Sequence, residues 1–191
     1  MSVVALERRS RPAGWWGMAV FVATEATLFG TLFGTYVYLR FRVPQWPPAG
    51  IPAPSVTVPL VLAAVLVATS VPVQLAVRAA RRSRVAAARR LVFLALFVQA
   101  GYFAMQIQLF VDDLAKFSPR GSAYASIYYT LIGAHHLHVA IGMLLSVWIG
   151  LRLLRGLTRY RLVGLEAIAF YWHFVNVLAV CVVLTQLSPS L

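Results

Sequence analysis

The chain has 191 residues, 61% of them apolar and only 12% charged, with 17 Lys and Arg against 5 Asp and Glu and a formal net charge of +12. Soluble domains are about a quarter charged, so an ordinary water-soluble enzyme is excluded, and a nucleic-acid binder would be basic but hydrophilic. In a chain of mean hydropathy +0.79, arginines are expected to mark the cytoplasmic loops of a polytopic membrane protein. The single Cys181 rules out an intrachain disulfide and any cysteine-based zinc or iron–sulfur site.

The N-terminal segment, residues 1–14, carries Arg8, Arg9 and Arg11 but no short apolar core with a cleavage site. It is expected to stay cytoplasmic, ahead of a retained first helix. Residues 15–191 then form one transmembrane domain. A spanning helix needs about 20 largely apolar residues, and five runs qualify: about 15–39, 56–77, 91–111, 124–151 and 162–187. They are continuous, without the alternation of barrel strands, so the predicted fold class is an all-α five-helix membrane bundle. Pro44, Pro47, Pro48, Pro52 and Pro54 make the first outer loop stiff and extended. One side of the predicted membrane collects 13 basic residues: Arg8, Arg9 and Arg11, six from Arg78 to Arg90, and four from Arg152 to Arg161. The other side has four: Arg40, Arg42, Lys116 and Arg120. The positive-inside rule therefore predicts a cytoplasmic N-terminus and an external C-terminus. The arginine-rich stretch lacks interleaved aromatics, so Arg78, Arg81 and Arg82 are expected to contact anionic lipid or the cytoplasmic surface, with no nucleic-acid partner.

Ionisable residues at bilayer depth are functional candidates. At 1.5 Å per residue, Glu25, His135 and His173 each lie roughly 15 Å into their helices, near one midplane layer. Beside His135 stand His136 and His138, and Asn176 flanks His173. Glu166, seven residues before His173 on the same helical face, sits nearer the cytoplasmic edge. Two readings follow. The layer could bind a metal or haem, since imidazole suits copper, iron and zinc. Alternatively, carboxylate and imidazoles satisfy one another in a buried polar network; crowding of the histidines into one segment favours this second reading. Gln99, Gln106, Gln108 and Asp112 form a polar edge expected to meet the last helix. Ala26, Gly30 and Gly34, and likewise Gly142, Ser146 and Gly150, recur every four residues and are expected to let helices approach closely.

Three blocks resemble one family. WWGMAVFVATEATLF (residues 15–29) resembles the start of the third transmembrane helix of cytochrome c oxidase subunit III, with Glu25 at its intramembrane glutamate. GAHHLHVAIG (133–142) resembles the family's two-histidine stretch, with His135 and His138 on its histidines. EAIAFYWHFVNVLAV (166–180) resembles its Tyr-Trp-His-Phe-Val-Asp signature at Glu166, Tyr171, Trp172, His173 and Phe174, with Asn176 in place of the aspartate. A further departure is Val111, where the family often has a glutamate three residues after the glutamine matching Gln108. The length resembles the five-helix form of bacterial haem-copper oxidases, including quinol oxidases, and of proteins accompanying nitric oxide reductases. The resemblance implies a bacterial plasma-membrane subunit with no redox cofactor of its own. Haem and copper would reside in subunits I and II; this chain would pack on subunit I, bind phospholipid and support proton uptake. The alternatives are an accessory protein of a nitric oxide reductase and a haem-binding membrane protein acting alone.

Overall fold

The computed structural model describes residues 12–51 and 56–187. Arg8, Arg9, Arg11, Pro52 and Pro54 lie outside the described residues, as does most of the 1–14 segment. Within them the chain is helical, as α1 (Ala13–Arg42), α2 (Thr57–Ala68), α3 (Ser70–Arg81), α4 (Val85–Lys116), α5 (Ala123–Leu154) and α6 (Arg159–Leu187). Taking α2 and α3 together, five helical stretches are long and apolar enough to cross a membrane.

Two features of the helices depart from the sequence expectation. The second span is broken in its middle, at Thr69. Pro72 has no N–H to give the Ala68 carbonyl, and its ring crowds that carbonyl. At the break Thr69 donates twice to Leu66 O, its N–H at 3.0 Å and its hydroxyl at 2.6 Å. Second, the arginine-rich stretch expected as a loop is mostly helix: α3 runs on to Arg81 and α4 begins at Val85. Arginine and alanine are good helix formers, so Arg78, Arg81, Arg89 and Arg90 extend helix ends beyond the apolar runs. At the end of α5, Gly156 takes φ +89°, the left-handed stop that glycine adopts without strain.

The buried side chains form two clusters. One surrounds Trp172, with Leu66, Ala76, Tyr102, Val139, Leu153 and Val175. The other, toward the far end, is aromatic, built on Phe29, Tyr36, Trp46, Tyr124, Tyr128 and Tyr129. Trp46 holds the proline-rich loop down: its indole N–H donates to Tyr36 OH at 3.1 Å, and that hydroxyl donates to Thr185 O at 2.6 Å. Helix α6 touches α1, α2, α3 and α5, while α5 lies against α1, α4 and α6. Large apolar side chains such as Phe41, Phe97 and Leu144 point outward at 84%, 79% and 70% exposure. That outward display suits acyl chains, and it leaves polar groups few places other than the seams between helices.

Candidate functional site

Glu25 lies twelve residues into α1, and His138 fifteen residues into α5. Their helices pack together, and Glu25 Oε2 stands 2.9 Å from His138 Nε2. The other ring nitrogen, Nδ1, is 2.7 Å from the Ala134 carbonyl. A carbonyl can only accept, so Nδ1 must carry a proton. Nε2 and the carboxylate then share one proton between them, as imidazolium with carboxylate or as imidazole with carboxylic acid. Phe29 closes the pair with its ring edge-on to His138, centroids 5.1 Å apart. Tyr171 on α6 donates to the His138 carbonyl at 2.9 Å, tying a third helix to the site.

His135 lies one turn earlier on α5 but faces α4. Tyr102 OH is hydrogen-bonded to its Nε2 at 3.1 Å and accepts from Gln106 Nε2 at 3.2 Å. His136 is held edge-on by Phe103 and Phe110.

His173 belongs to a different place, the break between α2 and α3. Its Nδ1 is 3.4 Å from Ser70 Oγ and its Nε2 3.3 Å from Gln74 Oε1. Asn176 Nδ2 donates to the same Ser70 hydroxyl at 2.7 Å. Gln99 reaches the break from α4, donating to Thr69 Oγ1 at 3.3 Å. These side chains satisfy one another at the break, and the Thr69 hydroxyl reaches its backbone at Leu66 O.

Glu166 is paired with Arg81, at 2.8 Å between Oε1 and Nε. The pair stands over a cavity of about 310 Å³ lined by Trp15, Gln74, Phe170 and His173 among others. Arg81 is thus an ion-pair partner as well as an exposed arginine; Arg78 and Arg82 are exposed. Because the Arg81 side chain is 59% exposed, Arg81→Ala is expected to cost less than about 1 kcal/mol. Thermal unfolding of the two proteins in the same detergent measures this, and a loss several-fold larger would show that the pair is a structural anchor.

The proposed polar residues therefore occupy three seams: Glu25 with His138 between α1 and α5, His135 between α4 and α5, and His173 with Asn176 at the helix break. Glu166 stands apart with Arg81. The predicted polar edge of α4 divides. Gln99 and Gln106 turn inward, whereas Gln108 and Asp112 are exposed, and it is Asp113 that accepts from Tyr128 at 2.6 Å and Lys116 at 2.9 Å. Gln99, Tyr102, Gln106 and Asp113, spaced by three, four and seven, share one helical face, a spacing that is legible in the sequence and separates Asp113 from Asp112. Ser70 and Gln74 had no such signal without the break.

The small residues also divide. A methyl added at Gly142 would lie 2.9 Å from Trp172 Cζ2. Trp172 is fully buried, and its indole N–H donates to Ser146 at 2.8 Å. Gly150 receives the Phe93 ring. Gly30 and Gly34, by contrast, are exposed, and a methyl at either would meet nothing within 4 Å. The expected packing role of this α1 pair does not occur within the chain, because that face of α1 is turned away from the other helices. Among the described residues, no three His, Cys, Asp or Glu side chains converge as a metal site.

The sequence profile of the family described as cytochrome c oxidase subunit III matches residues 12–186, a range that includes all three seams. Cytochrome c oxidase subunit 3 of Struthio camelus is 32% identical over 170 residues, covering 85% of this chain and 64% of that protein. The protein of the same name from Thermostichus vulcanus is 28% identical over 164 residues, 85% of this chain and 80% of the relative. Cytochrome bo(3) ubiquinol oxidase subunit 3 of Pseudomonas aeruginosa is 28% identical over 171 residues, 88% and 80%. The chain thus spans less than two thirds of the ostrich protein's length and four fifths of the two bacterial ones. With a matched region that takes in nearly every described residue, the chain belongs to the cytochrome c oxidase subunit III family.

Proposed function

We propose that this chain is the subunit III of a bacterial haem-copper terminal oxidase, a structural and modulatory subunit that carries no redox centre. In this reading it sits in the plasma membrane with its arginine-rich end cytoplasmic, packs on subunit I and holds phospholipid. It supports electron transfer and proton translocation that occur elsewhere in the complex. The observation that carries it is the Glu25–His138 pair, a shared proton site held by helix packing, which among the described residues gains no third His, Cys, Asp or Glu. The arginine distribution supports the orientation, and Arg78 and Arg82, exposed at the helix ends, suit anionic headgroups.

Purification of the tagged chain in mild detergent tests this. A large haem-bearing, oxygen-reducing subunit is expected to co-purify. Glu25→Gln and His135→Ala are expected to leave the haem spectrum unchanged while lowering the stability of the complex or its sustained turnover. Loss of a haem band in either variant, or a Soret band from the isolated chain, would overturn the reading. A partner that reduces nitric oxide would replace it with the accessory-protein alternative.

A further inference from the structure

At the end of the bundle away from the Arg81–Glu166 pair, α2, α4, α5 and α6 meet around a cavity of about 40 Å³. Its walls include Pro59, Gln106, Asp113, Tyr128 and Gln186. Gln186 is only 8% exposed, and its Oε1 accepts no hydrogen bond from the protein. Burying an amide oxygen without a donor is destabilising. None of the wall groups bonds to it: Gln106 gives an amide N–H to Tyr102, Lys116 an N–H and Tyr128 its hydroxyl to Asp113, and Pro59 has no N–H. A buried water needs roughly 10–15 Å³ of accessible volume and two to four polar partners. This cavity has the volume, and beside apolar Leu109, Phe110 and Ile132 its walls carry the polar groups of Gln106, Asp113, Lys116, Tyr128 and Gln186, whereas cavities that stay dry are apolar throughout.

We infer that this cavity is a binding site for resident water, which donates to Gln186 Oε1 and bridges it to Gln106 and the Asp113 carboxylate. Two separate hydrogen-bonded chains end at the cavity. One is Lys116–Asp113–Tyr128 at the end of the bundle, and the other is Gln106–Tyr102–His135 running inward. The water joins them, so that His135 is linked by continuous hydrogen bonds to a carboxylate near the aqueous boundary. The inference is independent of which oxidase the chain serves.

Water-edited solid-state NMR of the full chain in lipid bilayers tests it, reading magnetisation transfer from water to side-chain N–H groups. Transfer to the Gln186 and Gln106 amides is expected to be at least threefold faster than to the Trp172 indole, which is buried and bonded to Ser146. In Gln186→Met, which fills the cavity and removes the acceptor, transfer to Gln106 should fall at least threefold while the Trp172 resonance stays in place. Equal slow transfer to Gln186, Gln106 and Trp172 in the unmodified chain would overturn the proposal, as would unchanged transfer to Gln106 in the methionine variant. Should that variant not fold, the comparison within the unmodified chain decides alone.

Discussion

Replacing Glu25 by leucine is expected to destabilise the protein by about 3 kcal/mol, the figure at which the costs of an orphaned buried polar group and of a broken buried pair meet. The reason is the rigidity of its partner. His138 is 5% exposed, and its Nδ1 is committed to the Ala134 carbonyl at 2.7 Å, so the ring cannot swing to another group. Nε2 would then face hydrocarbon with nothing to bond. Glu25→Gln should cost less, about 1 kcal/mol, because an amide N–H can donate to the neutral imidazole in the same geometry. Removing both partners, Glu25→Leu with His138→Leu, should be milder than Glu25→Leu alone, since apolar replacement of a whole pair leaves nothing unsatisfied. Chemical unfolding in one detergent, followed by tryptophan fluorescence, measures all three. If the single leucine variant matched the unmodified protein, the pair would have no role in holding α1 to α5.

Gly142→Val should be the second large effect, at the upper end of the roughly 1–3 kcal/mol typical of overpacking. The added Cβ would stand 2.9 and 3.0 Å from two Trp172 ring atoms, and the ring has no slack. It is fully buried and anchored through its N–H to Ser146. Gly150→Ala meets Phe93 at 3.2 Å, but Phe93 is 38% exposed and can turn, so its cost should be smaller. At Gly30 an added Cβ meets nothing within 4 Å, so Gly30→Ala should not destabilise the isolated protein. Thermal unfolding of the three variants in parallel checks the order. A neutral Gly142→Val would mean that α5 and α6 do not pack as closely as the structure has them.

The five spans were legible because runs of apolar residues this long have no other stable setting. Their inner divisions were not. The break at Thr69 depends on Pro72, and a proline in an apolar run can as well be absorbed by a kink. The extension of α3 and α4 through the arginines is invisible to hydropathy, which reports the membrane boundary, whereas helix continues for as long as local propensity allows. At the site, depth along each helix put Glu25, His135 and His173 at one level, whereas the structure pairs Glu25 with His138, the neighbour of His135. Depth carries no azimuth, however. His135 and His138, three residues apart, stand about 60° from each other around α5, enough to send one to α4 and the other to α1. His173, at a comparable depth, looks toward the helix break. Which seam receives each side chain is settled by how the five spans are arranged around one another, and one chain's pattern of apolar residues does not encode that arrangement locally.

The single proton held between Glu25 and His138 has an electrical consequence. Whichever atom carries it, the two side chains together have zero net charge. A full charge moved across an energised membrane exchanges about 2.3 kcal/mol per 100 mV. Within a contact of 2.9 Å, the proton can shift by only about 1 Å, roughly a thirtieth of the hydrocarbon thickness. The field can therefore do no more than about 0.1 kcal/mol of work on it per 100 mV. Deep inside a membrane that carries a voltage, this pair is almost blind to that voltage, and the join between α1 and α5 keeps the same strength whether the membrane is charged or at rest.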